Sequence, residues 1–244
     1  MNLPHVTFLK KQCQLFESDF ECNSQLKPYR AMQLMQDAAT THATNINLGW
    51  DEMDQHGILW VLSKVDIVFA QPITRHTHEF NLYTWPLCPN RFFAERQFVA
   101  ERDGQSLFFA TTMWMLIERD TRKILPAETM NRFFDGQYDT AKNDGVGNFI
   151  RVRKDDTFTH AYTKIVRRSD LDINAHVNNT SYVTYALDVL QPTEQIKSVQ
   201  IVYHKELTFG DVVEVYVKRD GNSVTVAGMR GDDTCFTVVM GLLE

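Results

Sequence analysis

The sequence contains little cysteine, and its cysteines are not arranged as metal ligands or disulfide partners. Only four cysteines occur among 244 residues. None belongs to a CxxC pair, and none lies near histidines at the spacing of zinc ligands. We therefore expect no metal, no cofactor and no disulfide framework. The cysteines should be reduced thiols, as is usual in cytosolic proteins.

Excess positive charge and long apolar runs are missing as well. Lys and Arg number 25 against 31 Asp and Glu, a net charge of -6, whereas nucleic-acid binding usually needs a basic surface. No run is long enough to span a bilayer, and "MNLPHVTFLKKQCQLFESDF" carries charge where a signal peptide needs an apolar core. The sequence therefore predicts a cytoplasmic protein with no nucleic-acid partner and no membrane insertion.

Two parts of the chain have the same predicted order of elements. In the first, a strand at 8–20 precedes a helix in "KPYRAMQLMQDAATTHA", and strands follow at 58–71, 77–85, 92–101 and 107–117. In the second, a strand at 157–167 and a helix near 177–190 precede strands near 196–207, 211–219, 223–230 and 234–243. The segment between them is rich in Asp, Asn and Gly. We predict an α+β fold with a first unit at 1–118, a linker at 119–156 and a second unit at 157–244.

An internal match supports a duplication. "VDIVFAQPIT" at 65–74 and "VQIVYHKELT" at 199–208 share identical residues at Val65/Val199, Ile67/Ile201, Val68/Val202 and Thr74/Thr208. A chance match between two amphipathic strands is the alternative. The equal order of elements favours two repeats, each a long helix cradled by a curved antiparallel sheet.

The most unusual stretch is "SDLDINAHVNN" at 169–179, in which polar and apolar residues alternate. If extended, it would place Asp170, Asp172, Asn174, His176 and Asn178 on one face. A polar turn that caps the following helix is the alternative, but a cap needs only one or two polar side chains. The larger number of polar side chains favours a functional face around the amino terminus of the helix. The free N–H groups and the dipole of a helix stabilise an oxyanion at that end.

These residue types suit transfer of an acyl group to water. A thioester is the natural substrate, because an alkyl thiol with a pKa of about 8.5 leaves as thiolate without a strong general acid. Asp172 would activate water or attack the thioester itself, Asn174 would hold water or donate to the oxyanion, and the N–H groups of Val177 and Asn178 would complete the oxyanion site. We find no comparable alternation before the first helix, so only the second unit is expected to be catalytic.

The same residues carry a resemblance to a known family. "RRSDLDINAHVNNTSYVTYALDVL", the following "VQIVYHKELTFGD" and the earlier "GILWVLSKVDIVFAQPI" resemble the fatty acyl-acyl carrier protein (acyl-ACP) thioesterases of plants and bacteria. The resemblance implies a double hotdog fold and hydrolysis of fatty acyl-ACP to fatty acid and ACP, which ends fatty acid synthesis. It implies Asp172, Asn174 and His176 as catalytic residues, joined by Glu206. Many plant members have a cysteine after that glutamate; Leu207 stands here, which argues against a cysteine nucleophile.

Expectations for binding follow from the same reading. Met32 and Met35 would help form the acyl channel in the first unit, with plain core packing as the alternative. Arg167 or Arg168 would hold the phosphopantetheine phosphate or the acidic helix of ACP, with a solvated basic face as the alternative. An acyl-CoA thioesterase and a noncatalytic acyl-binding protein are the alternative functions. Chain-length preference and pairing into a homodimer are left open.

Overall fold

A computed structural model describes residues 7–134 and 136–243. Residues 1–6, Asp135 and Glu244 lie outside the described residues. The predictions that residues 1–6 belong to the first unit and are not part of a signal peptide, and that Asp135 belongs to the linker, therefore concern residues that the structure does not describe. The helices are α1 (Pro28–Asn45), α2 (Trp50–Gln55) and α3 (Asn179–Leu187). The strands are β1 (Leu9–Gln14), β2 (Ile58–Phe69), β3 (Glu79–Pro86), β4 (Ala94–Arg102), β5 (Gln105–Glu118), β6 (Ile124–Leu125), β7 (Thr159–Ile165), β8 (Ile196–Tyr203), β9 (Val212–Asp220), β10 (Ser223–Arg230) and β11 (Asp233–Leu242).

These strands form one antiparallel sheet in the order β1-β3-β4-β5-β2-β8-β11-β10-β9-β7, with β6 beside β5. Strands before residue 119 lie on one side of the β2–β8 junction, and strands after residue 156 lie on the other. Helix α1 packs on β1 and β3, α3 packs on β11, and the two helices contact each other. The main core lies between these helices and the sheet. The boundaries 1–118, 119–156 and 157–244 stay a prediction.

The β2–β8 junction has the geometry of a duplicated strand that pairs with its own copy. Val65 lies opposite Ile201, and Ile67 lies opposite Val199. Between them Asp66 lies opposite Gln200, and these two positions are equivalent in the matched segments. A local twofold axis therefore passes between Asp66 and Gln200. This register favours duplication over a chance match.

The linker is attached to the sheet near this axis. The Asp66 carboxylate accepts hydrogen bonds from Gly147 N–H at 2.7 Å and from Gln200 Nε2 at 3.0 Å. Gln200 also donates to Asn148 O and accepts from Ile150 N–H, each at 3.0 Å. Burial raises the pKa of Asp66, whereas these hydrogen bonds lower it. The linker therefore satisfies polar groups that the β2–β8 junction would otherwise bury unpaired.

The predicted elements are all present, with ends that differ by a few residues. Helix α2 was not predicted. Its six residues include a single buried side chain, Met53, so the segment shows no amphipathic periodicity. Met53 packs with Leu48 and with Met130 and Phe134 of the linker in a second, smaller core. The second core therefore joins the end of α1 to the linker.

A group of aromatic rings fixes α3 on the sheet. Tyr182 of α3 lies with its ring centroid 5.3 Å from that of Phe236 and 5.4 Å from that of Tyr203. Tyr185 lies 6.2 Å from Phe236. The Phe236 ring covers Gly228 on the adjacent strand, where a Cβ atom would collide with it. Gly228 therefore makes room for the ring against which the helix packs.

Replacing Gly228 by Ala should destabilise the protein by about 1–3 kcal/mol, because the added methyl forces the buried Phe236 ring out of its place. Urea unfolding followed by circular dichroism measures the effect. In Phe236→Leu the ring is absent, so the same Gly228→Ala change should cost much less in that background. An unchanged unfolding midpoint for Gly228→Ala alone would contradict the packing described.

Candidate active site

The motif at 169–179 is not extended, so its predicted geometry is wrong. It folds back in a tight reversal: Asp172 N–H donates to His176 O at 2.8 Å, and Ala175 N–H donates to Asp172 O at 3.1 Å. Ala175 has φ +61°. Because of the reversal, Leu171 and Val177 pair as a short bridge, and Ile173 points into solvent with 99% of its surface exposed. The apolar residues therefore do not share one buried face.

The Asp172 carboxylate is the physical reason for this turn. Its Oδ1 accepts hydrogen bonds from Asn174 N–H at 2.8 Å and from His176 N–H at 3.3 Å. Such local bonds from an aspartate to nearby backbone compete with strand pairing. Asp170, a further member of the predicted face, is buried and pairs with Lys164 at 3.1 Å instead. The turn therefore presents Asp172, Asn174 and His176 without Asp170.

The predicted oxyanion donors are wrong. Val177 N–H donates to Leu207 O and Asn178 N–H donates to Asp170 O, each at 2.8 Å. Asn178 is instead the N-cap of α3, because its Oδ1 accepts from Thr180 N–H at 2.9 Å. Within residues 7–134 and 136–243, the N–H of Asn179, at the first position of α3, donates no hydrogen bond. Asn179 therefore supplies the free N–H that the sequence assigned to its neighbours.

Glu206 lies beside His176, as predicted, but an arginine that the sequence did not reveal holds it. Arg122 Nη2 donates to both carboxylate oxygens of Glu206, at 2.8 and 2.9 Å. His176 Nε2 lies 3.7 Å from Glu206 Oε2, too far for a hydrogen bond. Arg122 belongs to the turn between β5 and β6, in the predicted linker. Only the tertiary fold brings it to the site, so no sequence signal pointed to it.

Two cavities meet at the turn. The first has a volume of about 220 Å³ and is lined by residues of α1, β4 and β5 and the linker, with Ala39, Ala43, Leu48, Trp114 and Met130 as its apolar part. The second has a volume of about 190 Å³ and includes His176, His204, Lys205 and Glu206. Both cavities are lined by Trp60, Asp172, Asn174 and Asn179. These four residues therefore form a shared wall.

The predicted substrate-binding residues separate into two groups. Met32 and Met35 line a small third cavity of about 20 Å³. Gln36, Ala39 and Trp114 line both this cavity and the first one, so the methionines lie next to the first cavity. Arg167 and Arg168 are exposed at the turn before the motif, and neither lines any of the three cavities. Their role in carrier binding stays a prediction.

The first unit contains the same turn, contrary to our expectation. Glu21 N–H donates to Gln25 O at 2.8 Å, Ser24 N–H donates to Glu21 O at 2.9 Å, and Ser24 has φ +67°. Glu21, Asn23 and Gln25 thus occupy the places of Asp172, Asn174 and His176. A comparison of "SDFECNSQL" with "SDLDINAHV" would have revealed the match.

This first turn is filled by other parts of the chain. The buried Gln25 side chain accepts from Ile196 N–H at 2.8 Å and donates to Ile196 O at 2.6 Å. Asn23 Nδ2 donates to Glu194 O at 2.9 Å. The segment that follows α3 therefore lies against the turn of the first unit. At the equivalent turn of the second unit, the corresponding space is open and forms the cavities. This geometry favours the prediction that only the second unit is catalytic.

A buried arginine that lines the first cavity contacts a buried histidine. Arg96 Nη1 lies 3.0 Å from His42 Nδ1 and 3.3 Å from Thr84 Oγ1. Burial, together with the charge of Arg96, lowers the pKa of His42 to about 4. Burial also lowers the pKa of Arg96, to about 10. At neutral pH Arg96 is therefore charged and donates to a neutral imidazole.

His42 should make stability depend on pH. Its pKa is lower in the folded state than the usual value of about 6.5, so the unfolded state binds more protons and the stabilisation is lost as pH falls from 6.5 towards 4. Between pH 7 and 5 the wild type should lose about 2 kcal/mol more than His42→Asn, which keeps an acceptor for Arg96. Urea unfolding at both pH values measures this. Equal losses in the two proteins would contradict the assignment.

Across the described ranges, no cluster of three or more His, Cys, Asp or Glu side chains is placed to bind a metal ion. The same residues include no helix that is long and apolar enough to cross a bilayer. All four cysteines are free thiols: Cys13 and Cys235 are buried, and Cys22 and Cys88 are exposed.

Comparisons with curated proteins find plant relatives. The chain is 21% identical over 220 residues to oleoyl-acyl carrier protein thioesterase 2, chloroplastic, of Arabidopsis thaliana. It is 25% identical over 202 residues to the acyl-[acyl-carrier-protein] hydrolase FATB1, chloroplastic, of Cuphea viscosissima. These matches cover 81% and 75% of this chain but 59% and 47% of the relatives. The chain thus spans about half the length of the curated relatives it matches.

Solved structures show the same fold. An acyl-ACP thioesterase from Bacteroides thetaiotaomicron matches with a TM-score of 0.86 and 21% identity, covering 97% of this chain and 98% of that one. The 12:0-ACP thioesterase from Umbellularia californica matches with a TM-score of 0.80 and 19% identity, covering 100% and 99%. The predicted α+β double hotdog is confirmed.

Two family models cover most of the sequence. The acyl-ACP thioesterase N-terminal domain matches residues 7–130, and the acyl-ACP thioesterase C-terminal domain matches residues 152–233. The first of these alone spans more than half of the 244 residues. The chain therefore belongs to the acyl-ACP thioesterase family.

Proposed function

We propose that this protein hydrolyses the thioester of fatty acyl-ACP to free fatty acid and ACP, and so ends fatty acid synthesis. The family and the names of its relatives support this activity. The observation that carries it is the shared wall, where Asp172 and Asn179 line both cavities and the Asn179 N–H has no hydrogen-bond partner among the described residues. A base and an oxyanion donor at one point are what thioester hydrolysis requires.

The cavities suggest how the substrate lies. The first cavity has the more apolar lining and reaches the space beside Met32 and Met35, so it suits the acyl chain. The second cavity includes His204, Lys205 and Glu206 and suits the polar phosphopantetheine arm. A thioester that joins the two parts then lies at the shared wall. This arrangement needs no cofactor.

Asp172 acts at the carbonyl carbon. It takes a proton from water while the water oxygen bonds to the carbonyl carbon, and the electron pair of the C=O bond moves to its oxygen. The Asn179 N–H and the amino terminus of α3 stabilise that oxyanion, and Asn174 holds the water. When the C=O bond forms again, the C–S bond breaks and the thiolate leaves. Direct attack by Asp172 to give an anhydride is the alternative, and an acylated Asp172 found by mass spectrometry after acid quench would support it.

His176, Glu206 and Arg122 act on the leaving group. Glu206 Oε2 lies 3.7 Å from His176 Nε2, which is too far for a hydrogen bond. His176 passes the proton that Asp172 took from water to the departing thiolate. Arg122 holds the carboxylate in place through its two hydrogen bonds. Arg122 is therefore a positioning residue.

Partner and location follow from the same activity. We infer that ACP approaches the mouth of the second cavity in the cytoplasm, and that Arg167 or Arg168 contacts its phosphate or its acidic helix. Both arginines are exposed directly before the catalytic turn, which supports this role.

Thiol release from purified acyl-ACPs and matching acyl-CoAs tests the proposal. We expect kcat/KM to be at least about tenfold higher for the ACP thioesters, since the carrier adds binding energy. Higher values for acyl-CoA would favour a coenzyme A thioesterase on this fold. Binding of acyl chains without any turnover would identify a noncatalytic acyl-binding protein and overturn the proposal.

A further inference from the structure

Large apolar side chains are exposed at one end of the second unit, beside the catalytic turn. They are Ile173 (99% exposed), Phe209 (65%), Val212 (48%) and Ile165 (40%). Single exposed apolar residues are common on soluble proteins, but several on neighbouring segments mark a surface that another molecule covers. We call these four residues the apolar patch.

Two members of the apolar patch are tied to the turn that lines the second cavity. Ile173 is part of this turn and directly follows Asp172, which lines the cavity. The turn ends at His176, which pairs with Thr208 as a short bridge. Phe209 comes directly after Thr208. The bridge therefore keeps Phe209 next to the turn that carries Ile173.

The other two members follow Phe209 at the edge of the sheet. Gly210 N–H donates to Val166 O at 3.1 Å, so the loop after β8 lies against the end of β7. Ile165, at the end of β7, lies opposite Val212, at the start of β9. Opposite residues of an antiparallel pair point to the same face. The apolar patch therefore lies on three segments that backbone contacts hold together.

The first unit shows whether the fold itself requires apolar residues at these places. The equivalent turns, the matched segments 65–74 and 199–208, and the strand pairs β1–β3 and β7–β9 identify the counterparts. The counterparts of Ile173, Phe209, Ile165 and Val212 are, in that order, Cys22, Arg75, Gln14 and Glu79. All four counterparts are exposed, and three of them are polar or charged. The apolar patch is therefore a property of the catalytic unit and not of the duplicated fold.

Two arginines lie beside the apolar patch without an acidic partner. Arg167 and Arg168 follow directly after the end of β7 and are exposed. Neither guanidinium forms an ion pair within residues 7–134 and 136–243, and Asp170, the acid nearest in sequence, pairs with a lysine instead. In the first unit Phe16 and Glu17 stand in their places. A partner that covers the patch should therefore present acidic groups around an apolar centre.

We propose that the apolar patch, with Arg167 and Arg168 at its rim, is the surface on which ACP docks. The proposal rests on the proposed function and assigns Ile173 and Phe209 as the central contacts. A carrier seated there lies beside the second cavity, into which the phosphopantetheine arm has to extend. A few central side chains supply most of the energy of a protein interface, whereas attachment to a membrane surface grows with the apolar area buried. The small number of exposed side chains therefore favours a protein partner.

Thiol release from acyl-ACP and from the same acyl group on pantetheine tests the docking surface. Pantetheine carries no protein, so its thioesters do not use the patch. Phe209→Ser and Ile173→Ser should each lower kcat/KM for acyl-ACP by about fivefold to twentyfold, mainly through KM, and leave kcat/KM for acyl-pantetheine unchanged. Both side chains are exposed, so both variants should fold like the wild type.

Phe16→Ser is the matched control. Phe16 is 62% exposed, nearly as much as Phe209, but it belongs to the first unit. Its replacement removes an exposed phenyl ring of the same size at a distance from the catalytic turn. It should leave kcat/KM unchanged for both acyl-ACP and acyl-pantetheine.

The outcomes separate this proposal from the activity it rests on. Unchanged kcat/KM for acyl-ACP in both patch variants would overturn the docking surface and leave the proposed function intact. Equal losses on acyl-ACP and acyl-pantetheine in both variants would also overturn it, since they would indicate a disturbed catalytic turn. If the wild type binds phosphatidylglycerol vesicles and both variants do not, with acyl-ACP rates unchanged, the patch is a membrane contact and the proposal is wrong.

Failure of the proposed function itself is seen in the wild type, as no turnover of any acyl-ACP or acyl-pantetheine. Titration calorimetry with holo-ACP then decides the docking surface without turnover. The proposal requires that Phe209→Ser and Ile173→Ser bind holo-ACP about fivefold or more weakly than the wild type and Phe16→Ser. Equal affinities in all four proteins would overturn it.

Discussion

Replacement of Asp172 by Asn is expected to reduce kcat/KM for acyl-ACP by about two to four orders of magnitude, because the variant has no base to take a proton from water. The amide oxygen of the substituted side chain still accepts from Asn174 N–H and His176 N–H, so the turn should persist. Steady-state thiol release measures activity, and urea unfolding checks that the free energy of unfolding changes by less than about 1 kcal/mol.

Asp172→Ala serves as the matched comparison. It removes both the base and the acceptor for the two N–H groups, so it should lose activity and some stability as well. Glu21→Gln, at the equivalent place in the first unit, should leave turnover near that of the wild type. Near-normal turnover by Asp172→Asn would show that Asp172 is neither base nor nucleophile.

Replacement of Asn179 by Pro should lower kcat by about a hundredfold to a thousandfold, since it deletes the one N–H that the oxyanion is proposed to use. Proline is well tolerated at the first position of a helix. Pro28 occupies the equivalent position in α1, where the preceding Lys27 has φ -58° and ψ 123°. Asn178 before Asn179 has φ -58° and ψ 137°. The backbone therefore already has the shape that proline requires.

Asn179→Ala is the control, because it removes the side chain of a residue that lines both cavities and keeps the N–H. It should retain most of kcat. Thiol release and circular dichroism on both variants separate a lost hydrogen bond from a lost helix. If Asn179→Pro folds and turns over like Asn179→Ala, the oxyanion must be stabilised elsewhere.

Periodicity predicted the order of the elements and an α+β fold, and the family resemblance implied the double hotdog. The alternation of apolar and polar residues along the strands and the apolar stripe of α1 located the main elements. Both patterns arise because one face of each element is buried against a common core. The match of 65–74 with 199–208 indicated a duplication, but the pairing of these two strands was not predicted. Helix α2 was missed because a short helix with one buried residue leaves no periodic pattern.

The structure brings predicted site residues together, but in a geometry that the sequence did not predict. Asp172, Asn174 and His176 lie at one turn, yet alternation indicated a strand, because the hydrogen bonds of the Asp172 side chain are not visible as a pattern. The oxyanion donors were assigned wrongly for the same reason. In the folded turn, the N–H groups of Val177 and Asn178 already donate hydrogen bonds to backbone carbonyl groups. Arg122 and Arg96 come from distant parts of the chain and depend on tertiary contacts alone.

The most direct test of the central claim is a crystal structure of the Asp172→Asn variant with a non-hydrolysable acyl-pantetheine in which a CH₂ group replaces the thioester sulfur. We expect the acyl chain in the cavity beneath α1, the pantetheine arm in the cavity beside His176 and Glu206, and the carbonyl oxygen within hydrogen-bond distance of Asn179 N–H. An acyl chain in the second cavity, or a carbonyl group away from the shared wall, would contradict the proposed mechanism.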